Sequence, residues 1–520
     1  MKENTEMASD APSFPSTALH SKSVELAPSL EPPHGKVQPI ASVVERYFAE
    51  IRGISQTAQI ALPHIAKWRI AEIEKIQKKI EKFVPDLKKE GDGPKTITLD
   101  SARDFAEFSN TIQQLEELRS QAPTEILAKS LFTQLFAEFD AYIGELLKII
   151  YLKNDKLLKG IAREISLSDL LDFDDLNAVK LSMLDKEIET FRRDSYIEQF
   201  ATLEKKFKLS LRKFSEWAQF VELSQRRNIL THNGGMVSDQ YLAVCDKEGH
   251  KFPSKPKIGD SLGVTFEYFV YATRLLSKVG LMLAYTLWSK VFPKESEQMH
   301  GVLNHTLFKC LQQKRWRFVA ELEDFVLSAP MRKDVSEIDL RIRIVNASIG
   351  LKFAGKDAEA VRLLESVDWS ASYRDFKLAI AVLLEKYDEA IVIMKSIGKT
   401  GEILVQHSYH IWPLFTRFRE HPEFYEAYFH IYKEAFAEKV DTAKGSVEAY
   451  AKSPDEGTSA RAQGSVIDGI AHEVSTAVRG RRRSSPVPKN KESKPAVARK
   501  AKTSNSAVQG ALRNKAAQRP

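Results

Sequence analysis

Arg226-Arg227-Asn228-Ile229-Leu230-Thr231-His232-Asn233-Gly234-Gly235 is the one stretch of this 520-residue chain whose residue types and spacing could do chemistry. On a helix, Asn228 and His232 are four apart and share a face. Arg227 lies about 100° away around the helix, but its long arm reaches the same place. A guanidinium, an amide and an imidazole therefore converge. The guanidinium offers a phosphate a planar fork of donors. An imidazole ordinarily changes charge between about pH 5 and 8 and passes a proton either way. Such a set could cleave RNA without a metal. The ribose 2′-hydroxyl would attack its own phosphate, His232 would act as acid or base, and Arg227 would hold the developing charge. The spacing alone is close to chance expectation in a chain this long. The competing reading is an exposed helix end, where the arginine caps carbonyls and the histidine packs on the turn.

The elements that must position these residues read as helix after helix. Val43, Val44, Tyr47, Phe48 and Ile51 have helical spacing; Pro63 interrupts, and Ile73, Ile76, Ile80 and Phe83 resume the pattern. Gly91-Asp92-Gly93-Pro94 reads as a turn, followed by a weaker helix over 102–119. Leu131, Leu135, Phe139, Tyr142, Leu146 and Ile149 make one apolar stripe on a long helix, and Ser168 can cap a short one. Further helices are expected over 176–192, 195–207 and 209–231. The last ends at His232-Asn233-Gly234-Gly235, where glycine supplies the backbone freedom of a helix stop. The stretch 237–263 reads as extended and turn-rich, and 266–292 as an apolar helix. Strands and helices do not alternate, so the expected class is all-α.

The motif and its surroundings resemble the HEPN family (higher eukaryotes and prokaryotes nucleotide-binding), an all-α fold. Its signature is Arg, a polar residue, three more residues, then His, here Arg227, Asn228 and His232. Gly234 or Gly235 followed by Tyr241-Leu242 is similar to the family's run after the histidine. Phe136-Ala137-Glu138-Phe139-Asp140-Ala141-Tyr142 looks like its first core helix, and 266–292 like its closing helix. The resemblance covers 122–292, interrupted by a helical insertion at about 166–208 that would serve as a lid or a partner surface. It implies a metal-independent endoribonuclease with Arg227, Asn228 and His232 as catalytic residues, RNA as partner and no cofactor. It also implies a homodimer, with the apolar helices 122–152 and 266–292 as candidate contact surface. Such enzymes often act in toxin–antitoxin, phage-defence or RNA-processing systems. The other reading is a non-catalytic scaffold for dimerisation and protein recruitment.

The remainder divides by composition. Residues 1–40 are proline-rich and read as disordered, and 41–121 as an N-terminal helical region. In 299–436, Ile349-Gly350-Leu351-Lys352-Phe353, Ala360 and Leu364 are echoed by Ala379, Leu383, Tyr387 and Ala390. This resembles degenerate tetratricopeptide repeats, which would offer a regulatory protein a concave surface. The stretch 441–520 carries 16 Lys/Arg against 7 Asp/Glu, and so holds all the excess positive charge of a chain whose net charge is +7. It reads as a disordered basic tail, either solubilising or an arm for RNA or another polyanion.

Several classes fall away. Two cysteines, Cys245 and Cys310, cannot build a disulfide framework or a four-cysteine zinc site. The longest uncharged run of the most apolar helix, 279–289, is 11 residues, short of the roughly 20 a bilayer needs. With no secretory pattern at the start, a cytoplasmic protein without membrane contact is expected. His300 and His305 read as surface histidines, and His407 and His410 as helix packing; no metal site is read. The glycine-rich runs lack the Lys-Ser/Thr of a phosphate loop, and no Gly-x-Ser-x-Gly nucleophile is present.

Overall fold

The computed structural model describes residues 39–83, 101–120 and 122–436, and among them the protein is built of helices with no β-strand. Contacts divide the chain into 1–439 and 440–520, and all the described residues belong to the first unit. Of the segment 1–40 expected to be disordered, Pro39 and Ile40 instead open the first helix, with Ile40 buried; the rest of it, 441–520 and the turn at Gly91–Pro94 lie outside the described residues.

The first helices frame the core. They are α1 (Pro39–Phe83), α2 (Ala102–Ser120) and α3 (Pro123–Leu152). Pro63 does not interrupt α1; it lies exposed inside the helix, where it removes one ladder hydrogen bond. Burial of Tyr47, Phe48, Ile51, Ala58 and Leu62 before it, and of Ile80 after it, holds the helix through that cost. Short α4 (Asp155–Lys159) and α5 (Leu167–Leu171) follow; Ser166, two residues before the expected Ser168, caps α5 by accepting from Asp169 N–H. Next are α6 (Leu176–Arg193) and α7 (Tyr196–Phe207), the latter opened by a capping box between Ser195 and Glu198.

Residues expected as an insertion are part of the core. Leu184, Ile188, Tyr196, Phe200, Leu203 and Phe207 are all buried. Tyr196 and Phe200 lie within 5.5 Å of the Phe220 ring, centroid to centroid. Its exposed leucines lie in the stretch ending at Leu176, where Leu167, Leu171 and Leu176 are each more than 70% exposed.

The helix carrying the motif, α8 (Trp217–His232), starts eight residues later than expected. Glu204 holds the preceding loop by accepting from the N–H groups of Leu211 and Arg212 and from Arg212 Nε. The stretch expected as extended contains α9 (Asp239–Lys247), capped by Ser238, and its flanks meet at the Met236–Ser261 bridge and through backbone hydrogen bonds such as Gly259 N–H to the Val237 carbonyl at 2.9 Å. Then α10 (Phe266–Val291) runs through the middle of the molecule, with 15 buried residues. Its Gly280 carbonyl accepts from Tyr142 Oη at 2.7 Å. A side chain at Gly280 would stand 2.6 Å from the Tyr47 ring, so glycine permits the close approach of α1 and α3. The apolar faces of α3 and α10, expected as a contact surface between copies, are used up inside one chain.

The rest comprises α11 (Ser296–Gln312), α12 (Trp316–Glu321), α13 (Glu323–Val326), α14 (Ala329–Arg332), α15 (Glu337–Phe353), α16 (Asp357–Glu365), α17 (Arg374–Leu383), α18 (Tyr387–Ile397), α19 (Ser408–Ile411) and α20 (Pro422–Tyr432). Helices α15 and α16 pack as a pair, as do α17 and α18, with Ala360 and Ala390 buried in them. The main hydrophobic core extends from Ile40 to Phe436, with smaller clusters around Ile229, Val237, Tyr241 and Cys245 and around Ala320, Leu351 and Ala360. Both cysteines are free and buried, and among the described residues no helix is long and apolar enough to cross a membrane.

His300 is a buried histidine, against the expectation of a surface one. Arg343, also fully buried, donates to Asn304 Oδ1 at 2.9 Å, to the Met331 carbonyl at 2.8 Å and to His300 Nδ1 at 3.1 Å. Arginine can only donate, so Nδ1 accepts and Nε2 carries the hydrogen given to the Lys333 carbonyl at 2.9 Å. Burial, reinforced by Arg343, lowers the His300 pKa, although the Lys333 carbonyl pulls the other way. The folded protein therefore binds this proton less readily than the unfolded chain, whose histidine titrates near about 6.5. Stability is full above that pH and is lost as pH falls below it. Denaturant midpoints between about pH 7.5 and 5.5 should fall less for His300→Gln than for the unsubstituted protein. Equal slopes would show that His300 does not contribute.

Candidate active site

The motif sits where α8 is anchored on one face and open on the other. Trp217, Phe220, Val221 and Leu223 bury the start of the helix, while Gln225, Arg226, Arg227 and Asn228 are half-buried. The helix stops as expected. Asn233 N–H and Gly235 N–H both return to the Ile229 carbonyl, at 2.8 and 2.9 Å. Gly234 and Gly235 have φ of +60° and +90°, the left-handed region that glycine enters without steric cost. A side chain at Gly235 would also stand 2.9 Å from the Leu262 carbonyl oxygen.

Folding separates the two neighbouring arginines. Arg226 turns inward: its Nε donates to Glu222 at 2.8 Å, and its guanidinium lies 4.1 Å over the Tyr268 ring. Buried Glu222 also accepts from Tyr241 Oη and Tyr268 Oη, both at 2.6 Å. Burial and the Glu222 charge hold both phenols well above their ordinary pKa, so they remain donors. Arg227 turns outward into a cleft of about 660 Å³, which Asn228 and His232 also line. Its Nη2 donates to Asp140 Oδ2 at 3.1 Å and its Nη1 to Asn228 Oδ1 at 3.3 Å. Tyr196 Oη donates to the other Asp140 oxygen at 2.5 Å, which ties α3, α7 and α8 together beneath the cleft. Burial raises the Asp140 carboxyl above its ordinary pKa, against the pull of Tyr196, Arg227 and Arg192.

His232, the last residue of α8, is exposed, and its side chain has no hydrogen bond or ion pair with the described residues. The three residues singled out from sequence thus line one cleft. Arg227 and Asn228 touch, and His232 stands one turn further on the Asn228 face. A phosphate in the cleft would meet a guanidinium whose position is set by a carboxylate, an amide NH₂, and an imidazole free to take or give a proton.

Sequence reasoning missed Asp140, Tyr196 and Arg192 as members of this site. Asp140 left a trace, being a carboxylate one turn beyond Phe136 on a largely apolar helix. Tyr196 and Arg192 left none, because each reaches the cleft only through the packing of α6 and α7. Among the weaker candidates, the His410 ring stacks on Phe436 at 4.3 Å and Nε2 meets Tyr428 Oη at 2.8 Å, a packing role. Among the described residues no group of three or more His, Cys, Asp or Glu could hold a metal ion.

Comparison of the chain with protein-family models, curated proteins and solved structures gives no match.

Proposed function

We propose that this chain is a HEPN-type endoribonuclease that cleaves RNA by attack of the ribose 2′-hydroxyl, with no metal ion taking part. The observation that carries the reading is the placement of Arg227, Asn228 and His232 on one cleft, with the imidazole unpaired among the described residues. In the reaction the 2′-oxygen–phosphorus bond forms and the phosphorus–5′-oxygen bond breaks. Neutral His232 takes the 2′ proton, or its imidazolium gives one to the departing 5′ oxygen. Arg227, held by Asp140, meets the charge that builds on the phosphoryl oxygens. The products are a 2′,3′-cyclic phosphate and a 5′-hydroxyl. The test is incubation of the purified protein with single-stranded RNA in EDTA, followed by identification of the ends.

One cleft offers one imidazole, and the reaction needs both a base and an acid. A second copy of the chain would supply the complement, so we infer a homodimer. Light scattering at micromolar concentration should give twice the 58.9 kDa chain mass. A monomer that retains full nuclease activity would sink the pairing. A role in a toxin or phage-defence system accompanies the ribonuclease reading.

Two observations favour a second reading, a non-catalytic scaffold. The Arg227 guanidinium already has a carboxylate partner in Asp140. On α18 and α20, Val392, Tyr425 and Phe429 are 67%, 43% and 56% exposed, apolar surface that suits a regulatory protein.

A further inference from the structure

We propose that Arg192 is a second anion anchor of the cleft, so that the substrate is an RNA strand gripped through two phosphates rather than a mononucleotide; naming the anion as RNA phosphate rests on the ribonuclease reading. Helix α6 ends on two arginines with different fates. Arg193 also borders the cleft, but it donates to Glu189 on its own helix at 2.5 Å. Arg192 is exposed, has no hydrogen bond or ion pair between its side chain and the described residues, and borders the same cleft as Arg227, Asn228 and His232.

Packing rather than pairing sets the position of Arg192. Its stem crosses α3 over Gly144, where an added Cβ would stand 3.1 Å from Arg192 Cδ and 3.4 Å from Ile188 Cγ2. A stem laid down on a glycine has already lost much of the rotamer freedom that binding would otherwise take from it. The guanidinium is thus presented to the cleft without an anion of its own.

The charges around it agree. Arg227 and Arg192 both favour the ionised form of Asp140, but of the two arginines only Arg227 is hydrogen-bonded to the carboxylate. Asp194 adds a carboxylate on the same rim. With Arg193 paired to Glu189 and Arg227 to Asp140, the cleft guanidinium without a bonded anion among the described residues is that of Arg192. The cleft, about 660 Å³, falls in the range of sites that enclose whole small ligands, which leaves room for a sugar–phosphate segment running from α8 to α6.

The test is fluorescence anisotropy with a labelled 12-nucleotide single-stranded RNA and the full chain carrying His232→Ala, which stops cutting during the measurement. In that background Arg192→Gln should weaken binding about tenfold and reduce the slope of log K against log salt by about 0.7, the loss of one phosphate contact on a single strand. Gly144→Ala, which removes no charge but crowds the stem, should weaken binding in the same direction. Arg193→Gln, whose partner is Glu189, should change it less. Circular dichroism establishes that each variant is folded. Unchanged affinity and slope for Arg192→Gln overturn the proposal, as does failure of the chain to bind the RNA at all. Because binding is read without cleavage, a negative nuclease assay leaves this result intact, and the two readings fail separately.

Discussion

His232→Ala is expected to reduce cleavage of single-stranded RNA by about 10²–10⁴-fold, the loss that follows removal of a positioned acid–base group. The imidazole at the end of α8 has no structural duty among the described residues, so its removal leaves no buried partner unsatisfied and the fold should be unchanged by circular dichroism. The residual activity should survive EDTA, and DNA, which lacks the 2′-hydroxyl, should not be cut. Arg227→Lys keeps the charge but loses the fork that spans Asp140 and Asn228, so it should be clearly impaired. Asn228→Ala should be milder, because its amide accepts one long hydrogen bond from Arg227 and otherwise only orients the phosphate. Equal cutting by folded wild type and His232→Ala would place the activity elsewhere. No cutting of RNA by either would move the protein to the scaffold reading.

Glu222→Leu is expected to destabilise the protein by about 3–5 kcal/mol, the range seen when one partner of a buried ion pair is removed. The Glu222 side chain is 4% exposed and that of Arg226 16%, so the guanidinium loses its counter-charge where little water can replace it. Tyr241 and Tyr268 lose their acceptor in the same step, and each buried hydroxyl left unpaired adds its own penalty. Glu222→Gln keeps the shape and one acceptor oxygen, so it should cost less. The measurement is the denaturant midpoint by circular dichroism; an unshifted midpoint for Glu222→Leu would show that this hub does not hold α8. The prediction bears on function because Glu222 ties α8 to α9 and α10. Cleavage should therefore fall with the fold in Glu222→Leu, whereas in His232→Ala it falls without it.

Local patterns carried much of the fold. Helices α2, α3, α6, α7 and α10 have the 3.6-residue period that neighbouring side chains write directly into the sequence, and the Ser195 cap and the Gly234-Gly235 stop are equally local. The reading went astray where a local rule met a tertiary force. Pro63 should break α1, yet burial on both sides holds the helix together. Residues 209–216 carry helical spacing, yet Glu204 draws them into a loop.

The sequence by itself determined that Arg227, Asn228 and His232 stand at a glycine-terminated helix end, because all three lie within two turns of one helix. Only the tertiary structure decided that Arg226 faces a buried carboxylate while Arg227 faces a cleft. Neighbours on a helix differ by about 100°, and the sequence does not state which direction is inward. Only the fold brought in Asp140, 87 positions before Arg227, and Arg192, whose place depends on a glycine of another helix. A charge interacts with whatever chain packing brings near, and that proximity is a property of the whole core rather than of any local stretch.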